Sequence, residues 1–149
     1  MKIVKLKKSF IVEYKKHTSN DQLLESDAGR PCVLLVSLKY KGLKHNFLVP
    51  LRSNITSSAP KSHYFALPNT SKTKSGNHAG IHYIKIFPVS KIYIDRFRIA
   101  AGSEYELVQK IIDKNEQVII KACQNYLNEY ESGKRSPLTP DIDSILTWL

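Results

Sequence analysis

Carboxylates are scarce in the first two thirds of this chain. Residues 1–102 hold 18 lysines and arginines but only Glu13, Asp21, Glu25, Asp27 and Asp95, a net of +13. The remaining 47 residues carry 5 basic and 8 acidic side chains, a net of −3. Between Arg30 and Gly102 the one carboxylate is Asp95, and a two-metal nuclease centre needs several oxygen ligands close together. Cysteine is as sparse. Cys32 and Cys123 are far apart in apolar surroundings, which reads as two buried free thiols rather than a disulfide framework or a zinc site, and hence as a reducing compartment. Apolar runs never reach the roughly 18 residues of a membrane span. The opening "MKIVKLKKSF" lacks the apolar core of a secretory signal, so the expected location is the cytoplasm. A P-loop, a glycine-rich dinucleotide loop, HExxH and paired zinc-type cysteines are all missing.

What is present suits one folded domain. The 149 residues are 42% hydrophobic and 24% charged, enough for a proper core. A lysine-rich surface that keeps a protein soluble is the ordinary account of positive charge, but the uneven bias points to an anionic partner: nucleic acid, an anionic membrane or an acidic protein.

Periodicity predicts the elements. "KIVKL" is a short strand, Ser9 opens a helical turn through Tyr14, and "HTSNDQLLESDAGR" is a polar connection. "PCVLLVSLKY" is a central strand with Pro31 at its start, where no ladder donor is needed. A turn at Lys41 and Gly42 leads to the antiparallel return strand "KHNFLVPL". "RSNITSSAPK" reads as a loop, "HYFAL" as a short strand and "PNTSKTKSGNH" as a second loop. "GIHYIKIFPV" is another core strand whose ladder Pro88 ends, and "KIYIDRFRI" an edge strand or bent extension. Ser103 and Glu106 form a capping box that opens one long helix to Ser132, stopped by Gly133. Thr139 caps a short final helix with Pro140 at its first position, docked by Ile142, Ile145, Leu146 and Trp148. The expected fold is α+β: a mainly antiparallel sheet with helices packed on it.

Three signals carry chemistry. Arg52 and Ser53 follow the strand ending in Pro50 and Leu51, "KTKSGNH" leads into His82, and Arg30 precedes the first core strand. An antiparallel hairpin would put Arg30 and Arg52 at the same edge. Such a cluster suits RNA cleavage by the 2′-hydroxyl, which requires a proton acceptor, donors around the phosphorane oxygens and a proton for the departing 5′-oxygen. Arginine grips phosphate as a planar fork, and histidine exchanges protons near neutral pH. Lys39, Lys44, Lys61, Lys72, Lys74, His78 and Lys85 are candidate contacts to the RNA backbone. Each has an ordinary role open as well: Arg52 as a solvated cation, Ser53 as a turn residue, His82 tucked against the sheet, His45 and His63 as surface or packing residues. Tyr40, Phe47, Tyr64, Tyr83 and Phe87 are strand residues suited first to core packing, although one could stack a base.

Two stretches together resemble a known family. "VLLVSLKYKGLKHNFLVPLRS", a strand, a glycine turn and a return strand ending in Pro-Leu-x-Ser, is similar to the N-terminal half of the ToxN-like toxins of type III toxin–antitoxin systems, which include phage abortive-infection proteins. "KTKSGNHAGIHYIKIFPV" resembles their second shared region. The resemblance implies a compact, strongly bent sheet flanked by helices, akin to MazF-like and Kid-like toxins. It also implies a metal-independent endoribonuclease that leaves a 2′,3′-cyclic phosphate and a 5′-hydroxyl. Its partners would be cellular or phage RNA as substrate and a small repetitive pseudoknotted RNA antitoxin, which the toxin processes and with which it alternates in closed rings. Ser53 falls on the family's active-site serine, and Arg30 approximately on a basic residue before the first long strand. Where the family has threonine before that serine and lysine two positions beyond it, this chain has Arg52 and Ile55. The hydroxyl-plus-lysine chemistry therefore does not transfer whole, and Arg52 is the replacement cation. His82 is a candidate on chemical grounds alone.

Two other classes fit the same charge and patterning. One is a non-catalytic nucleic-acid-binding protein using the basic region as a passive phosphate surface. The other is an adaptor whose Ser103–Ser132 helix offers its apolar face to a protein partner.

Overall fold

A computed structural model describes residues 1–18 and 33–149. Arg30, Pro31 and Cys32 lie outside the described residues, and with them the proposed meeting of Arg30 and Arg52. The elements are β1 (Lys2–Leu6), α1 (Lys8–His17), β2 (Val33–Tyr40), β3 (Leu43–Ile55), β4 (Tyr64–Leu67), β5 (His78–His82), β6 (Phe87–Val89), β7 (Ile94–Arg96), α2 (Glu104–Lys114), α3 (Glu116–Glu131) and α4 (Ile142–Trp148). The strands make one seven-stranded sheet in the order β4-β5-β3-β2-β1-β7, with β6 also on β3, and every pairing is antiparallel. This is the α+β class expected.

Helices on both faces explain why "VLLVSL" is apolar almost without a break. Side chains alternate across a strand. Leu34, Val36, Leu38 and Tyr40 of β2 join Phe47 and Val49 of β3 in a core closed by Ile112 of α2 and by Ile119, Cys123, Leu127 and Tyr130 of α3. Val33 and Leu48 face the other way, into a second core with Phe10 and Tyr14 of α1 and Ile145 of α4. The apolar stripe of the long helix is thus covered within the chain, which removes the premise of the adaptor, although Leu107 and Val118 remain exposed.

The β2–β3 hairpin turns at Lys41 (φ 51°) and Gly42 (φ 78°), two left-handed residues in the geometry that matches strand twist. β3 then runs four residues further than "KHNFLVPL" predicts: Arg52–Ile55, expected in a loop, are strand and extend its pairing with β5. Among the described residues the β2 side of β3 is paired as far as Pro50, and a new partner takes up the other edge beyond it.

The expected Gly80–Val89 strand follows that edge but is not continuous. β5 and β6 both pair with β3, and their registers differ by three residues, the length of the 3₁₀ turn Tyr83–Lys85 between them. Pro88 does not end the ladder; it sits opposite Phe47. Because β3 is the sheet neighbour of β6, a residue without an N–H is tolerated there.

The single long helix is corrected to two. At Asn115 (φ −115°, ψ 20°) the chain leaves helical geometry, and Asn115 Nδ2 donates to the Ile111 carbonyl at 2.8 Å, a local bond that competes with the helical ladder. The capping box is also incomplete: Ser103 Oγ donates to the Ala100 carbonyl, and Glu106 accepts from the Gly102 amide. Asp141, not Thr139, caps α4, accepting from the Ser144 amide at 3.1 Å. Thr139 is buried against Tyr126 Oη instead. Gly133 (φ 102°) does end α3 as expected, with Lys134 N on the Glu129 carbonyl and Gly133 N on that of Tyr130.

Asp143 clasps the C-terminal part to the hairpin. It accepts from Tyr40 Oη at 2.7 Å and pairs with Lys41 at 3.0 Å and Arg135 at 3.0 Å. Partial burial would raise its carboxyl pKa, but those three hydrogen bonds outweigh it and hold the pKa below the usual carboxylate value.

Gly80 admits β4 against β5: a Cβ there would stand 2.6 Å from the Phe65 carbonyl oxygen and 3.2 Å from Ile55 Cδ1. Gly80→Ala is expected to destabilise the protein by about 1–3 kcal/mol, read as a lower midpoint in thermal or urea unfolding. An unchanged midpoint would show that the two strands are not packed so closely.

Candidate functional site

A β-bulge builds the site. Leu51 and Arg52 pair regularly with Ile81 and Gly80, and Ile55 pairs with His78, so two β3 residues, Ser53 and Asn54, stand against Ala79 alone. Asn54 uses the bulge to hold the basic loop. Its Oδ1 accepts from the Lys74 amide at 2.7 Å and Asn77 Nδ2 at 3.2 Å, and its Nδ2 donates to the Lys72 carbonyl at 2.9 Å. Asn69 Oδ1 ties the other end, accepting from the Ala79 amide at 3.1 Å.

Beside the bulge is a cavity of about 270 Å³. Leu51 and Ala79 line it from the sheet, and Leu67 and Pro68 from the end of β4. Arg52, Ser53, Thr70 and Lys72 bring its polar side, while Glu104, Tyr105 and Val108 face it from the first turns of α2. The side chains of Arg52, Ser53, Lys72 and Glu104 make no hydrogen bond or ion pair among the described residues. Some other cations are paired, Lys7 with Asp95, Lys16 with Glu13, and Lys41 and Arg135 with Asp143, while several surface lysines elsewhere make no ion pair among the described residues either. Unpaired cations lining a concave surface are available to an anionic ligand, and the positive end of the α2 dipole lies on the same side.

His82 lies next to Arg52 rather than on the cavity wall. Gly80 and His82 project from the same face of β5, so Arg52, paired with Gly80, is the diagonal neighbour of His82. His82 is 8% exposed, and neither ring nitrogen has a hydrogen-bond partner. Desolvation is the first cause of its depressed pKa and the charges of Arg52, Lys85 and His63 add to it, giving about 4. The imidazole is therefore neutral at pH 7, with a lone pair able to take a proton.

The other candidates are dispersed. Lys72 and Lys74 share the Asn54-held loop, and Lys72 lines the cavity. His78 begins β5 with its ring stacked on Tyr64 at 6.0 Å. Lys85 is buried in the 3₁₀ turn after β5, close enough to act on His82, and Lys61 is exposed in the 3₁₀ turn before β4. Lys39 and Lys44 face one another near the hairpin tip. Eight residues along β3 separate Lys44 from Arg52, about 26 Å of strand. Asp95 sits on β7, with β1 and β2 between it and β3. Cys123 is buried and free, its thiol pKa raised by desolvation to about 12.

Sequence reasoning missed Asn54, Glu104 and Tyr105. A polar Asn three residues past a strand's apolar run was a signal for a bulge or turn. Glu104 and Tyr105 had none, because only the packing of α2 brings them to β3.

No family model and no curated protein matches the sequence. Among solved structures, the chain is similar to ToxN, described as "A processed non-coding RNA regulates a bacterial antiviral system", with a TM-score of 0.64 and 17% identity over 91% of this chain and 90% of that one. At that identity the likeness is one of fold, and it is the fold that the resemblance in sequence implied.

Asn54→Ala is expected to release the loop while leaving global stability nearly unchanged. Exchange of the Lys74 amide should quicken by about tenfold or more, as for loss of roughly one or two hydrogen bonds. For His82, NMR titration should give a midpoint of about 4. Arg52→Ala should raise that midpoint while burial keeps it below the ordinary value of 6.5. A wild-type midpoint at the ordinary value would refute the dry environment.

Proposed function

We propose that this chain is a metal-independent endoribonuclease toxin, a single catalytic domain over residues 1–149, restrained by a small RNA. The observation that carries it is the unpaired Arg52, Ser53 and Lys72 around one cavity, with the neutral, unbonded His82 beside Arg52. The fold likeness to ToxN, from an RNA-regulated antiviral system, supports the same reading. The inhibitory partner would be a repetitive, pseudoknotted RNA that the toxin cuts from its precursor and holds in a closed ring, and the target would be cellular or phage RNA in the cytoplasm.

In this mechanism the substrate supplies its own nucleophile. The 2′-hydroxyl loses its proton to a base and its oxygen bonds to the adjacent phosphorus; for that base to be His82, whose ring nitrogens are both buried, the imidazole must first turn out from beside Arg52 to the cavity. The P–O5′ bond then breaks, and the 5′-oxygen takes up a proton from water, to which the base returns the one it removed, leaving a 2′,3′-cyclic phosphate and a 5′-hydroxyl. Arg52 donates to the phosphorane oxygens, where charge accumulates in the transition state, and the Ser53 hydroxyl adds a neutral donor. Phosphate bound to Arg52 offsets the field that depresses the His82 pKa, so substrate makes the base stronger as it arrives. Arg30, should its loop reach the same rim, would be a second fork on the phosphate. Lys72 and Lys74 from the tethered loop, with His78 and Lys61 around β4 and β5, would hold the flanking backbone, and Lys39 and Lys44 a more distant stretch, whereas Lys85, expected among these contacts, is buried.

Arg52→Ala should slow cleavage by about 10² with the unfolding midpoint unchanged, the scale for losing one donor to a developing oxyanion. Cleavage should persist in excess EDTA and yield cyclic-phosphate ends. A magnesium requirement would end the metal-free mechanism, and salt-sensitive binding without cleavage would leave a passive RNA binder. Protein purified without nuclease treatment should carry a discrete small RNA.

A further inference from the structure

The cavity holds one feature that phosphate binding does not use. Glu104 is exposed at the first position of α2, lines the same space as Arg52 and Lys72, and makes no ion pair with either. A carboxylate at the first position of a helix is favoured by the helix dipole, and here it also presents two unpaired acceptor oxygens to a ligand group that donates hydrogen bonds. Around it the wall is apolar: Leu67, Pro68 and Val108, with the Tyr105 ring beside them. At about 270 Å³, open on one side, the cavity has room for a planar base.

We propose that this cavity receives a single base next to the scissile phosphate and that Glu104 selects for an edge carrying amino or imino donors, guanine above all. This rests on the endoribonuclease reading for the position of the phosphate. Guanine presents adjacent N1–H and N2–H donors, which match the two oxygens of one carboxylate. Adenine and cytosine each offer one amino group, and uracil places N3–H between two carbonyl oxygens that the carboxylate repels. Leu67, Pro68 and Val108 supply a surface for the base faces, which any base can use, so discrimination falls to Glu104. The charges then divide the work: Arg52 and Lys72 hold the backbone without regard to sequence, and Glu104 reads the base.

The test uses the whole protein and short 2′-O-methyl oligonucleotides that cannot be cleaved, identical except for the base at one position, with affinity read by fluorescence anisotropy. Wild type should bind the best guanine-containing oligonucleotide about tenfold or more tightly than its uracil counterpart, the scale of one good bidentate pair. Glu104→Gln keeps the shape but exchanges one acceptor for a donor, and should bring that ratio to within about threefold, chiefly by weakening the guanine ligand. Equal wild-type affinity for all four bases, or a preference that Glu104→Gln leaves intact, would overturn the proposal. Failure of the nuclease reading shows separately, as no cleavage of the unmodified RNAs while the base preference in binding remains.

Discussion

The whole arrangement depends on β3 having to satisfy different partners along its length. Its first half is paired on both edges, by β2 and by β6, and must be apolar on both faces because helices cover both. Beyond Pro50, β3 has no partner in β2 among the described residues, and β5 takes up the other edge. The extra residue at Ser53–Asn54 absorbs the change of register. A bulge costs regular pairing but turns side chains out of alternation. Here it leaves Arg52 on the face of His82, sets Ser53 at the cavity, and frees Asn54 to bind the backbone of a loop 18 to 20 residues away.

Electrostatics divides the molecule in the same way. In the C-terminal part, carboxylates and cations are brought together: Asp143 gathers Tyr40, Lys41 and Arg135, and the Arg135 guanidinium lies 4.2 Å from the centre of the Tyr130 ring. Those charges are consumed in holding α4 to the hairpin. At the other end of β3, Arg52 and Lys72 meet no carboxylate in pairing distance, although Glu104 lines the same cavity. His82 is the complement of that arrangement. A buried imidazole without a hydrogen bond is costly, and charge on it would be costlier still next to Arg52 and Lys85.

The element types were largely legible. Alternation and branched residues marked β1, β2 and β4, "KG" marked the hairpin turn, and Gly133 marked the end of α3, because each rests on a local backbone preference. The failures share a cause. The break at Asn115 follows from a side chain bonding its own helix, which hydrophobic periodicity does not register. The 3₁₀ turn at Tyr83–Lys85 lies inside a run that reads as one strand, since buried residues are apolar in either geometry. Arg52–Ile55 looked like loop because polar residues in an edge pairing resemble polar residues in a connection. Of the candidate site, Arg52, Ser53, His82 and Lys72 were named from the sequence, and the structure gathers them within one region around the bulge. Arg30 falls outside the described residues.

By itself the sequence determined the class of fold, the cationic character of the first two thirds and the types of side chain available for phosphate chemistry, because composition and local periodicity act over a few residues. Tertiary structure alone decided which of those cations are free and which are paired. It also decided that the Glu104 carboxylate shares a cavity with Arg52, and that the imidazole of His82 is dry. These are properties of distance between residues remote in the chain, and Glu104 shares that space only because the start of α2 borders the same cavity as β3 and β5.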